Sequence, residues 1–316
     1  MLYRILHFPA SIAIYLYCRY IRINHKEFLN SKGPLLIASN HPNSFLDAII
    51  LASLFKRPIY SLARGDAFAG KFISSILKSL NMLPVYRISE GAENLAYNFT
   101  TFDACNDIFK RNGIVLIFSE GHCINEWHLR PLKKGTARLS FAAWNQNIPL
   151  QIIPLGINYS SFRSFGKNVH LNFGKLITKD EFDLSEIEGK KIISFNNILK
   201  DQLKNLVYEI NVNDEKKRLN IFHNNVNLLK RYILFIPAVL GFVLHFPLYF
   251  PIILMISKKE NDHYDSIIVG LLILLYPVYL FLLMLLLFLT LHNYLFLLVL
   301  IVFPFCAWSY LQIKKQ

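Results

Sequence analysis

Cysteine is scarce and scattered. Cys18, Cys105, Cys123 and Cys306 form no C-x-x-C pair and no even ladder of spacings. A disulfide-stapled secreted module therefore loses its signature, as does a zinc or iron–sulfur centre built on thiolates, and the four read as free thiols of a reducing compartment. The nucleotide and protease motifs are missing as well: there is no G-x-x-x-x-G-K-[ST], no G-x-G-x-x-G, no H-E-x-x-H and no G-x-S-x-G. Those absences argue against nucleotide hydrolysis, dinucleotide redox chemistry, zinc proteolysis and α/β-hydrolase chemistry. There is no internal repeat. Charge is thin at 17% of residues, and from Ser266 to Ile313 there is no Asp, Glu, Lys or Arg at all.

What fills the space is apolar. Hydrophobic residues are 53% of the 316, and the mean hydropathy is +0.34, more than a soluble domain covers with polar surface. The charge that exists is lopsided, 34 Lys+Arg against 21 Asp+Glu, a net +13. Such an excess calls for an anionic partner. With so apolar a chain, phospholipid headgroups fit better than nucleic acid, for which no reader motif accompanies the basic residues.

A crossing helix needs about 20 apolar residues, so the uncharged C-terminal stretch holds two. The polar cluster Leu291-His292-Asn293 divides it into expected transmembrane helices 267–289 and 294–311. The preceding apolar segment, 232–256, carries Pro237, Pro247 and Pro251 and has basic residues at both ends, Lys230 and Arg231 before it and Lys258 and Lys259 after. Basic flanks favour the cytoplasmic side, so a re-entrant or interfacial segment is expected there. Lys314 and Lys315 then put the C-terminus in the cytoplasm too. Residues 1–30 mix aromatics with Arg4, Arg19 and Arg22. They fit a membrane-associated helix lying in the interface, and equally an amphipathic helix packed on the domain.

Between these regions, 31–228 reads as an α/β domain. Short apolar runs, Leu35–Ala38, Ile59–Ala63, Met82–Tyr86, Ile114–Phe118, Gln151–Ile157 and Val169–Phe173, alternate with helical patterns at Phe45–Phe55, Phe68–Leu80, Ala92–Arg111 and Thr136–Asn145. Strands separated by helices imply crossover connections, hence a mostly parallel sheet flanked by helices with its ligands at the strand C-termini.

The chemistry-bearing residues fall at those ends. After the first strand comes Asn40-His41-Pro42-Asn43-Ser44-Phe45-Leu46-Asp47. A sharp turn would let the Asp47 carboxylate orient the His41 imidazole as a general base. Arg87 follows a strand, Glu120 and Gly121 end another, and Lys133 and Lys134 open a helix whose free N–H groups make an anion site. Taken singly, each has a plainer reading: a capping pair with an unrelated histidine, a solvated charge, a helix cap, a soluble face. His122, Glu126 and His128 lie in a loop with no register to converge them on a metal.

In order, Asn40-His41…Asp47, Leu83…Arg87, Phe118-Ser119-Glu120-Gly121 and Ile153-Pro154 resemble the four blocks of the glycerolipid acyltransferase family, over Pro34 to Tyr159. The resemblance implies an acyltransferase fold and an enzyme that moves a fatty acyl group from acyl-CoA or acyl-carrier protein to a hydroxyl of glycerol 3-phosphate or lysophosphatidate. His41 would be the base and Asp47 its partner. Asn40, Arg87, Glu120, Gly121, Lys133 and Lys134 would bind the glycerol-phosphate acceptor. No metal and no other cofactor is implied; the partners are the acyl donor, the acceptor and membrane phospholipids, and the active site is expected to face the cytoplasm. Two positions depart from the pattern. Pro42 to Leu46 puts five residues between His and Asp where the family has four, a spacing that resembles glycerol-3-phosphate or dihydroxyacetone-phosphate acyltransferases of eukaryotic type. Ser119 stands where the family has proline. Acylation of another lyso-lipid, such as a lyso-aminolipid, and a silent lipid-binding membrane protein are the alternatives.

Overall fold

The structure is a computed structural model, and it describes residues 2–86, 97–223, 227–256, 262–292 and 294–314. In chain order the elements are α1 (Leu2–Tyr17), β1 (Cys18–Ile23), β2 (Leu35–Ser39), α2 (Ser44–Leu54), β3 (Ile59–Arg64), α3 (Lys71–Ser79), β4 (Met82–Val85), α4 (Tyr97–Lys110), β5 (Ile114–Phe118) and α5 (Gly135–Asn145). There follow β6 (Gln151–Tyr159), β7 (Lys167–Phe173), α6 (Glu188–Leu206), α7 (Glu215–Ile221), α8 (Leu228–Ile256), α9 (Tyr264–Leu291) and α10 (Val299–Ile313).

Seven strands form one sheet in the order β1-β7-β6-β2-β5-β3-β4. Every pair is parallel except β6 with β7. The central strand β2 is buried along its whole length, as a parallel strand covered on both faces must be. Its residues alternate between two cores. Leu35 and Ile37 face Ile14 and Tyr17 of α1, Leu46, Ile50 and Leu51 of α2, and Ile268 and Val269 of α9. Leu36 and Ala38 face Cys105 and Phe109 of α4, Trp144 of α5 and Phe195 of α6. The period of two is the pleat itself.

Two sequence expectations change here. The sheet starts before residue 31: β1 lies within the segment expected to be only a helix, and it pairs with β7 from Cys18↔Lys167 to Ile23↔Leu171. The arginines disguised it. Beyond Cys18 this edge strand is only partly buried, with Tyr20 and Arg22 exposed, so charged side chains are tolerated in it. The Arg19 guanidinium donates to the carbonyls of Gln312 (2.7 Å) and Lys314 (3.0 Å) at the end of α10. Secondly, the proline-rich segment 232–256 belongs to one continuous helix, α8, with Pro237, Pro247 and Pro251 inside it.

Among the described residues, three helices are long and apolar enough to cross a membrane: Leu228–Ile256, Tyr264–Thr290 and Tyr294–Ile313. α8 and α10 meet at Gly241, where an added Cβ would lie 2.2 Å from the Cys306 carbonyl oxygen. That approach needs glycine, as close helix crossings in lipid commonly do.

Candidate active site

The C-terminal ends of β2 and β5 lie side by side, with Ser39 in register with Phe118. The chain leaves β2 through Asn40, His41 and Pro42, turns at Asn43 and Ser44, and enters α2. Ser44 takes a left-handed φ of 50°. This turn absorbs the five-residue spacing and brings the two ends of the motif together: His41 Nδ1 lies 2.9 Å from Asp47 Oδ2.

Asp47 is fully buried, whereas the His41 side chain is 18% exposed. Both carboxylate oxygens are engaged. Oδ2 also accepts from the Asn43 backbone N–H (2.9 Å) and Oδ1 from the Tyr159 hydroxyl (2.7 Å). Burial beside Asp47 raises the Tyr159 phenol well above its usual pKa, so it stays protonated and acts only as a donor. An acceptor-only carboxylate at Nδ1 assigns the proton to that nitrogen and leaves the Nε2 lone pair for substrate. The ring is held flat against Phe118, centroids 3.7 Å apart and planes 9° apart.

His41 opens into a cavity of about 1940 Å³. Gly121, Lys133, Lys134 and Arg138 line one side, together with the start of α5, a cationic wall with helix N–H groups beside it. Phe99, Phe102, Phe141 and Ile192 supply apolar lining. The cavity also reaches Ser266 and Ile267 at the start of α9.

Two residues expected to bind the acceptor are spent on the protein instead. The Asn40 side chain is buried and pairs both ways with the Ile157 backbone, Nδ2 to the carbonyl at 3.0 Å and Oδ1 from the N–H at 2.8 Å. It fastens the end of β2 to β6. Glu120 is only 5% exposed; Oε2 accepts from the His41 N–H (2.9 Å) and Oε1 from the Arg130 N–H (2.9 Å). Burial raises its pKa above the ordinary carboxylate value. Glu120 thus fixes the backbone of His41 rather than facing a ligand. Gly121, Lys133 and Lys134 do line the cavity. Gly121 has a φ of +70°, and a Cβ there would come within 3.0 Å of the Lys133 side chain. Arg87 lies outside the described residues. His128 and Glu126 turn to Glu209 and Arg130 respectively.

Ser119 also finds its explanation. Its N–H donates to Ser39 O (2.8 Å), a bond a proline could not make. Its Oγ accepts from Thr136 Oγ1 (2.9 Å), which ties the turn to the start of α5. From the sequence alone, no role fell to Tyr159 or Phe118. Both stand at strand C-termini, so position alone could have flagged them.

A base–carboxylate pair at the mouth of a mixed cationic and apolar cleft is the equipment of a group-transfer enzyme acting on an activated, charged, partly apolar substrate. Residues 20–158 match the acyltransferase family model, so this stretch is an acyltransferase domain. The match begins within β1, where the sheet begins. No curated protein matches the sequence. Among solved structures the chain is similar to the 1-acyl-sn-glycerophosphate (LPA) acyltransferase PlsC from Thermotoga maritima, at 10% identity and a TM-score of 0.44, over 71% of this chain and 81% of that one.

The role of Glu120 is testable through the split between rate and binding. Glu120→Gln puts an NH₂ against one of two backbone donors, which should cost about 1–3 kcal/mol in thermal unfolding. We expect kcat to fall roughly tenfold through misplacement of His41, with KM for the acceptor within about a factor of two. A raised KM at unchanged kcat would instead return Glu120 to the acceptor.

Proposed function

We propose that this protein acylates a glycerol-phosphate acceptor at a membrane, taking a fatty acyl group from the thioester of acyl-CoA or acyl-carrier protein and giving it to a hydroxyl of glycerol 3-phosphate or 1-acyl-glycerol 3-phosphate. The observation that carries this reading is the His41–Asp47 pair at 2.9 Å, opening on the same cavity as Lys133 and Lys134. His41 Nε2 takes the proton of the acceptor hydroxyl as its oxygen attacks the thioester carbonyl. The tetrahedral oxyanion collapses, the C–S bond breaks, and the thiolate leaves with the proton held by the imidazolium. Asp47 stabilises that imidazolium. A thioester is already activated, so a base, a positioned hydroxyl and a phosphate clamp suffice. Lys133, Lys134, Gly121 and the N–H groups opening α5 form the clamp.

The active site faces the cytoplasm in this reading, and the α9–α10 hairpin crosses the bilayer with α8 packed against α10 at Gly241 and Cys306. Both ends of α8 also meet the rest of the protein. Lys230 donates to the Gln312 side chain (2.9 Å), beside the Arg19 bond to the Gln312 carbonyl, and Ile252 and Ile256 join the sheet's core.

The test uses the full chain in phosphatidylcholine vesicles with radiolabelled acyl-CoA and acyl-carrier protein. Glycerol 3-phosphate, lysophosphatidate and a phosphate-free lyso-lipid are offered separately. Transfer to a phosphate-bearing acceptor is expected, with its KM raised about tenfold or more in Lys133→Ala/Lys134→Ala as charge-assisted contacts are lost. Transfer only to the phosphate-free acceptor, or to none, would defeat the proposal.

A further inference from the structure

The start of α9 is sewn to the catalytic turn. His263, just before the helix, meets Ser44 Oγ through Nδ1 at 2.5 Å. Ser266 Oγ accepts from the Leu46 N–H (3.0 Å) and donates to the Asn43 carbonyl (3.2 Å). Between them lies Asp265, fully buried. Its Oδ1 accepts from the Tyr17 hydroxyl (2.5 Å) and its Oδ2 from Asn43 Nδ2 (2.7 Å) and from the ammonium of Lys167.

An ion pair with both side chains out of water is a poor way to gain stability, because desolvation offsets much of the Coulomb attraction. This one has partners that suggest a positional role. Lys167 lies against the rings of Tyr17 and Tyr159, 5.4 and 5.7 Å from their centroids. Burial pulls its amine down to about 7, against the opposing pull of Cys18 and Asp47. A circuit closes: Lys167 touches Tyr159, whose hydroxyl donates to Asp47, and Asp265 holds Asn43, whose backbone N–H donates to the same Asp47.

We propose that Asp265 is a positioning residue for the His41–Asp47 pair. By holding the Asn43 side chain it fixes the turn that supplies Asp47 with a donor, so the seating of a membrane-type helix on the domain sets the geometry of the base. This rests on the acyl-transfer reading for its kinetic consequence, though not for its structural one.

The experiment compares the full chain in phosphatidylcholine vesicles with three variants. Lys167→Met/Asp265→Ala removes both charges together, so that neither is left buried alone. Lys167→Met/Asp265→Asn also removes both but keeps an amide oxygen for Asn43. Asn43→Ala cuts the link from the other side and guards against misfolding of the first. Steady-state acyl transfer and hydrogen exchange are read on all four. We expect Lys167→Met/Asp265→Ala and Asn43→Ala each to lower kcat about 10- to 100-fold with KM nearly unchanged, and the Asp265→Asn form to recover most of that loss. Exchange in 42–48 should quicken at least about tenfold, as expected for a local opening, while β2 and β5 exchange as before. Wild-type kcat and wild-type exchange in a folded Lys167→Met/Asp265→Ala protein would overturn the proposal, and so would faster exchange everywhere, which marks a merely structural pair. An unmodified chain inactive with every acceptor would sink the acyl-transfer reading instead, and the exchange comparison would still decide the role of Asp265.

Discussion

His41→Ala is expected to lower acyl transfer by about 10³-fold or more while leaving the protein folded. General bases contribute roughly 10²–10⁴ to such rates, and here Nε2 is the basic nitrogen turned to the cavity. The structural loss is small by comparison. The Glu120 contact is made by the His41 backbone N–H and survives the substitution. Asp47 keeps its bonds from the Asn43 N–H and the Tyr159 hydroxyl, so no buried carboxylate is orphaned. What goes is the stack on Phe118 and one hydrogen bond, which places the stability cost at about 1–2 kcal/mol. Single-turnover transfer of a labelled acyl group, alongside thermal unfolding of both proteins, makes the comparison. A variant that keeps more than about a tenth of the rate would mean that the proton goes elsewhere.

Much of this architecture is legible in the sequence because the buried strands are continuous apolar runs. Leu35–Ser39 and Ile114–Phe118 have no polar residue before their last position or none at all, and they became the centre of the sheet. β1 escaped the same logic because an edge strand has one free side, and Arg19 and Arg22, three residues apart, fit a helix face as easily as a strand. The His41–Asp47 pair was readable as a local motif, six residues apart. Its supports were not. Tyr159 reaches Asp47 from 112 residues away and Asp265 reaches Asn43 from 222, and no local pattern encodes such distances.

Glu120 and Asn40 show a different limit. Their residue types and places were correctly singled out, but a polar side chain at a strand end can face a ligand or satisfy the backbone, and composition does not choose. Only the fold reveals that the N–H groups of His41 and Arg130 consume the Glu120 carboxylate, and that Ile157 consumes the Asn40 amide. Buried polar groups are satisfied as a rule. A motif residue that proves fully buried is therefore better understood as part of the scaffold that aims the reacting groups.

The second large effect belongs to Asp47→Asn, and its size follows from which of three donors the amide can still serve. With its oxygen in the place of Oδ2, asparagine accepts from His41 Nδ1–H and the Asn43 N–H. Its NH₂ then meets the Tyr159 hydroxyl, which can rotate to accept. The reverse orientation would aim two N–H donors at the Asn43 N–H and at Nδ1, forcing the proton of the imidazole onto Nε2 and removing the base. The Asn43 N–H, fixed by the turn, favours the first arrangement, so the tautomer survives and the negative charge is what disappears. The loss then falls on stabilisation of the imidazolium in the transition state. We expect kcat down about 10²–10³-fold with KM for donor and acceptor within a factor of about three. Because His41 and Asp47 act as one unit, His41→Ala/Asp47→Asn should be no slower than His41→Ala alone. Steady-state kinetics on the three proteins decides the matter: an Asp47→Asn enzyme within about threefold of wild type would show that Asp47 only holds the ring in place, and a double variant much slower than His41→Ala would give Asp47 a task of its own.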